Sequence, residues 1–258
     1  MAVPPYVELG QGRHLVRIPI LHEDRAVIAL DKPAGWMLVP FSWQRTQRNL
    51  QAAITSSIEG REYWARARNL RFLRHVHRLD AETSGVLLFG RSPGAVRTYA
   101  ALFESRRMAK TYLAVVEGLP AMPEWTCREP IGPDPGHIGR MRLDRRGGKE
   151  AETSFRVLAR REGRTLVEAR PVTGRTHQIR LHLRTAGCPV VGDALYGSAP
   201  RLGNTAAATV ESEAPFPLAL RAVRLAYRDP FRRRPVCIEA SADEFLRAFG
   251  FGPDANRP

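Results

Sequence analysis

The chain has 258 residues and carries 40 Lys and Arg against 26 Asp and Glu, a formal charge of +14. That length can bury a substantial core, and so positive a charge points to a polyanionic partner, nucleic acid first and an anionic membrane surface second. Three cysteines, Cys127, Cys188 and Cys237, lie far apart with no C-x-x-C spacing, which argues against a disulfide framework or a structural zinc site and for a reducing, cytoplasmic compartment.

From the N-terminus, Met1-Ala2-Val3-Pro4-Pro5 lacks a signal-peptide pattern, and no apolar run is long enough to span a bilayer. Residues 1–17 show no clear period and read as an extension, a loosely packed arm. Val27-Ile28-Ala29-Leu30 is a short apolar strand that Asp31-Lys32-Pro33-Ala34-Gly35 turns sharply. Lys32 reads there either as a phosphate contact or as a solvated turn lysine.

Asn49 to Asn69 has helical spacing through Leu50, Ala53, Ile54 and Ile58, and runs into Arg61, Arg66, Arg68, Arg71 and Arg74 interleaved with Tyr63, Trp64 and Phe72. Such a mixture suits a groove that follows a nucleic-acid backbone with stacking platforms. It equally suits a helix with aromatics inward and arginines in water.

Val86-Leu87-Leu88-Phe89 is a buried strand closed by Gly90-Arg91-Ser92-Pro93. The turn formers Thr83, Ser84 and Gly85 before it put Asp80 on a loop feeding that strand, with Arg78 beside it. An ordinary turn aspartate paired with a nearby arginine is the plain alternative. Pro93 to Ser105 predicts an amphipathic helix, and Lys110 to Glu117 a core strand in which Tyr112, by pattern alone, is a core tyrosine.

Ile131 to Lys149 reads as an exposed basic loop or hairpin. Thr153–Ala159 and Arg164–Ala169 are strands joined by Glu162-Gly163, a hairpin signal. Gly174 to Gly187 predicts a helix with Ile179, Leu183 and Ala186 on one face and Arg180 and Arg184 sharing a side. Residues 198–215, small and polar, read as a flexible insertion. Leu218–Tyr227 and Val236–Ala240 are closing strands, and Asp243–Phe249 a terminal helix.

Four motifs in this order carry a resemblance. They are HRLD-x-x-TSG at His77–Gly85, K-T-Y at Lys110–Tyr112, GRTHQIRLH at Gly174–His182, and G-D-x-x-Y-G at Gly192–Gly197, preceded by Leu30–Gly35. Together they resemble the RluA-type pseudouridine synthases, over roughly Ile18 to Ala240.

The resemblance implies an α+β fold, a long bent mixed and mostly antiparallel sheet with flanking helices and a central active-site cleft. It also implies a catalytic domain over 18–258 without the S4-type RNA-binding module that members often carry ahead of it. The implied reaction breaks the N1–C1′ bond of a uridine in structured RNA, a ribosomal or transfer RNA stem-loop, and rejoins the base through C5. It is intramolecular and redox-neutral, so no cofactor and no metal is expected; His75 and His77, in H-x-H spacing, are a poor zinc signal.

Asp80 is the implied reactive carboxylate, as nucleophile at C1′ or C6 or as base at C2′, three routes that stay open. The resemblance places Arg180 as its counter-cation, with Arg175 second, and Tyr112 against the target base. A stacked uridine must be extruded to react, and Arg78 is expected to fill the vacated space. His77, Arg175 and His177 complete the expected RNA contacts. The protein is expected to be a monomer. The alternative is a non-catalytic RNA-binding protein that keeps the same fold.

Overall fold

The computed structural model describes residues 3–10, 15–38, 48–197 and 216–252. They form thirteen strands and five helices arranged as α+β, in two compact units, each built from two stretches of chain. The expected insertion at 198–215 lies outside the described residues.

The first unit takes Met1–Lys110 and Ala222–Ala240. Its strands are β1 (Tyr6–Leu9), β2 (Val16–Glu23), β3 (Val27–Lys32), β4 (Arg74–His75) and β5 (Ser84–Gly90), with most of β12 (Leu220–Arg228) and β13 (Pro235–Glu239). Hydrogen bonding runs β1-β2-β3-β5-β12, with β4 also on β5 and β13 on β12. Neighbours β1/β2, β2/β3, β3/β5 and β12/β13 are antiparallel.

Within residues 1–17, expected as an extension or a loosely packed arm, Tyr6–Leu9 is a paired strand. Tyr6–Leu9 alternates out and in, and its buried Val7 and Leu9 sit opposite Ile18 and Val16 in register. A four-residue strand is too short for its period of two to stand out in the sequence.

All seven residues of β5 are buried, as a strand apolar on both faces requires. Val86 and Leu88 join Val27, Ala29, Tyr99 and Leu102 in one core cluster. Tyr99 and Leu102 come from α3 (Pro93–Glu104), where Ser92 caps the helix by accepting the Ala95 N–H and Pro93 opens the first turn. The helical spacing at 49–69 resolves into α1 (Leu50–Glu59), capped by Asn49, and the single turn α2 (Tyr63–Arg66).

The second unit takes Thr111–Arg221 and Ser241–Pro258. Most of β6 (Ala109–Glu117) pairs with β11 (Arg164–Pro171), which pairs with β10 (Thr153–Arg161), which pairs with β7 (Glu124–Cys127), all antiparallel. Glu162 and Gly163, both at positive φ (49° and 75°), make the β10–β11 turn that matches the twist of its strands. The basic stretch is indeed a hairpin, β8 (Ile131–Pro133) with β9 (Met141–Leu143). Ile179 and Leu183 of α4 (Gln178–Thr185) and Phe245 of α5 (Asp243–Ala248) pack with Ala114, Val116 and Val167 in its main core. Among the described residues no helix is long and apolar enough to cross a membrane.

Candidate active site

In the first unit the Asp80 loop is held by its backbone. Thr83 N–H donates to the Asp80 carbonyl at 3.2 Å, and Gly35 N–H to that of Ala81 at 2.8 Å. Gly85, which ends the loop, has φ +110°, and a Cβ there would lie 2.0 Å from the Ala222 carbonyl oxygen on β12. Only glycine fits both the conformation and the space.

Lys32 corrects both of its sequence readings, since it contacts neither solvent nor a surface phosphate. Its side chain is fully buried (0 % exposed), and Nζ donates to the carbonyls of Ala81 and Thr83 at 2.8 Å and of Pro33 at 3.0 Å. Three acceptors match the three N–H bonds of an ammonium. Burial pulls its pKa down to about 7, against the upward pull of the Asp80 and Glu82 carboxylates. The ammonium thus fastens the turn after β3 to both sides of Glu82 and lies within electrostatic reach of Asp80. A lysine that serves three carbonyls has no sequence signature beyond the apolar run it ends.

Lys32→Met keeps the bulk and removes every donor, so we expect a loss of about 2–5 kcal/mol from buried carbonyls left unsatisfied. The pH dependence gives a second check. The folded pKa lies below the ordinary value of 10.5, so between about 7 and 10.5 the unfolded chain binds more protons and stability rises with pH. Denaturant melts across that window should show the rise in the native protein and lose it in Lys32→Met.

Arg78 is exposed at the start of the loop, and the half-buried His77, expected as an RNA contact, is engaged by neighbours in this unit. The His77 ring stacks on Phe103 with centroids 4.4 Å apart, and Nε2 accepts the Leu88 N–H at 3.2 Å. Burial, reinforced by Lys110, lowers its pKa to about 3, so it is neutral and fixed against β5. His75 is likewise occupied, its backbone N–H and Nδ1 both reaching Gln51 Oε1.

In the second unit Gln178 organises the start of α4. Its Oε1 accepts the Thr173 hydroxyl (2.7 Å) and the Arg175 N–H (2.9 Å), and its Nε2 donates to the Glu152 carbonyl and Thr153 Oγ1, both at 2.9 Å. This holds 173–177 as a tight loop, so the helix begins at Gln178 and not, as the spacing predicts, at Gly174. His177, at left-handed φ 56°, ends that loop, and Arg175 Nε donates to the Glu150 carbonyl at 2.9 Å.

Arg180 and Arg184 do not share a surface. Arg184 is exposed, while Arg180 is 2 % exposed and donates through Nε (2.8 Å) and Nη2 (2.7 Å) to both oxygens of Asp193, which is 0 % exposed. Burial alone would raise the Asp193 pKa. The Arg180 guanidinium and the N–H groups of Tyr196 and Leu195 outweigh it and leave the carboxyl below its ordinary value. Tyr196 lies under the same cation, 5.2 Å from ring centre to Cζ. Its hydroxyl accepts the Met141 N–H and shares a second hydrogen bond with His177 Nδ1, each at 2.8 Å.

Asp193 and Tyr196 belong to the G-D-x-x-Y-G motif, to which the sequence assigned no role. Their three-residue spacing, an Asx turn closing on a tyrosine N–H, was the available signal. Tyr112, opposite Ala169 in β6, is half-buried and packs against the main core of this unit. The structure therefore groups His77, Arg78 and Asp80 in the first unit, and Tyr112, Arg175, His177 and Arg180 in the second.

Comparison with known proteins converges on one group. A family model described as RNA pseudouridylate synthase matches residues 26–185. The chain is 33 % identical over 235 residues to the Bacillus subtilis protein named Uncharacterized RNA pseudouridine synthase YhcT, covering 85 % of this chain and 72 % of that one. It is 32 % identical over 225 residues to ribosomal large subunit pseudouridine synthase D of Neisseria meningitidis, covering 86 % of this chain but 58 % of the relative. The fold resembles that of human RNA Pseudouridylate Synthase Domain Containing 4, with a TM-score of 0.67 at 24 % identity over 89 % of this chain and 91 % of that one.

Proposed function

The chain belongs to the RNA pseudouridylate synthase family, of the RluA type, and is an isomerase of RNA uridine; from that premise we propose that Asp80 carries the reaction on a uridine everted from a structured ribosomal or transfer RNA. The C1′–N1 bond breaks, the base turns, a C1′–C5 bond forms, and the C5 proton is lost as N1 gains one, so atoms and electrons balance without a co-reactant. Asp80 acts as nucleophile or general base. The observation that carries this reading is the clamp on its loop: backbone and Lys32 hydrogen bonds fix the chain on both sides of Glu82 and so hold Asp80 in a set position. A preorganised carboxylate is what such chemistry requires.

Tyr112 against the base and Arg180 as counter-cation rest on the resemblance of their motifs. Arg78, exposed beside Asp80, fills the place of the everted base, and Arg175 and His177 are further RNA contacts. A monomer belongs to the same proposal, as does a reducing cytoplasm, which the three free cysteines spread through the chain support.

Incubating the purified protein with RNA from cells that lack it, then mapping pseudouridine, should reveal one or a few converted uridines. Binding without any conversion would favour the non-catalytic alternative. Arg78→Ala should slow turnover more on structured RNA than on a short unpaired strand, because extrusion costs a few kcal/mol only where the base is stacked or paired. Equal losses on the two substrates would remove the role of Arg78 in eversion.

A further inference from the structure

A second feature of the first unit lies at the other end of β5. Beyond Gly90 a cavity of about 320 Å³ is lined by Arg25, Asn69, Leu70, Arg71, Phe72 and Arg91. Three guanidiniums and no carboxylate face it. Arg91 is anchored at its base, with Nη1 on the Asp24 carbonyl (2.8 Å) and Glu23 Oε1 (3.1 Å) and Nη2 on the Arg68 carbonyl (3.0 Å). Behind it Arg68, 5 % exposed, takes the other Glu23 oxygen at 2.8 Å and the Pro4 carbonyl, so the floor is a fixed network. Glu23 is shared between Arg68 and Arg91, leaving net positive charge. Arg25 and Arg71 are exposed above it, and neither is in an ion pair among the described residues.

We propose that this cavity is a docking site for backbone phosphates of the substrate RNA, flanking the uridine that reacts. It rests on the RNA reading above and adds a site to it. Two observations favour RNA. Gly85 and Gly90 are five strand residues apart, about 17 Å at roughly 3.3 Å each, a reach of several nucleotides. Because β4 pairs antiparallel with β5, the chain from Arg71 to Arg78 runs back along it from the cavity towards Asp80, and Arg71, Arg74 and Arg78 are all exposed on the way. A compact array of guanidiniums with one member fixed suits bidentate phosphate recognition, and the Phe72 ring offers a face to a flanking base.

The test is the double variant Arg25→Gln/Arg71→Gln, titrated with a labelled hairpin RNA bearing a uridine-rich loop over a range of salt. We expect unchanged melting, roughly tenfold or greater loss of affinity at low salt, and a log–log salt slope shallower by about 1.8 on duplex or 1.4 on single strand, for two phosphates lost. A control pair on exposed arginines elsewhere, Arg97→Gln/Arg184→Gln, removes the same charge and should change the slope far less. An unchanged slope, or an equal change in the control, overturns the proposal; so does a loss confined to anionic-lipid vesicles run in parallel. Wild-type conversion of uridine is scored separately: a slope change without conversion leaves the cavity and removes the isomerase reading, and the reverse removes only the cavity.

Discussion

Asp80→Asn is expected to lower pseudouridine formation at least ~10³-fold while melting temperature and RNA affinity stay near those of the native protein. The substitution is nearly isosteric, and the loop is fastened through the carbonyls of Asp80, Ala81 and Thr83, which it leaves in place. What disappears is the charge that attacks carbon or takes a proton. A longer carboxylate should rescue poorly: Asp80→Glu shifts the oxygens by on the order of 1 Å, and a misplacement of that size costs roughly 10²-fold. Release of tritium from RNA labelled at uridine C5 follows the reaction directly, because that hydrogen must leave. Turnover by Asp80→Asn at the native rate would end the assignment.

Arg180→Ala is expected to cost about 3–5 kcal/mol, since it strands a buried carboxylate. For a chain of this size that is a fall of roughly 6–20 °C in melting temperature. Removing the partner as well, in Arg180→Ala/Asp193→Ala, should recover part of the loss, the non-additivity that marks a direct pair. In the native protein the Asp193 pKa is depressed, so its contribution is present above the ordinary carboxylate value of 3.8 and fades as pH falls through the folded one. In Arg180→Ala burial is opposed only by the Tyr196 and Leu195 N–H groups, so that pKa should rise and acidification should relieve the variant. Parallel acid branches in urea melts of the two proteins would show that Asp193 does not depend on Arg180.

The sequence disclosed most of this architecture where period and punctuation agree. The run Val86–Phe89 between turn formers, the amphipathic period from Pro93 and the Glu162-Gly163 turn each became the element they predict. Side-chain destinations were less visible. Helical spacing puts Arg180 and Arg184 on one side, but a long side chain can turn inward to a buried carboxylate, and the partner lies thirteen residues away. Lys32 has the chemistry of a surface residue and is buried only because three carbonyls converge on it. His77 belongs to a motif that suggests contact with substrate, and its stacking on Phe103 depends on a helix twenty-six residues further on. Local pattern specifies elements; long-range partners decide what a polar residue does.

The order of the chain has a consequence for biosynthesis. The first unit is interrupted after Lys110 and resumes only at Ala222. Until then β5 lacks the neighbour β12, and Gly85 lacks the carbonyl that crowds it. At ribosomal rates of roughly 5–20 residues per second, that gap keeps the edge of a buried strand open for about 6–22 s. Until β12 arrives that edge can pair with other chains, and ribosomes stalled before residue 222 should display it.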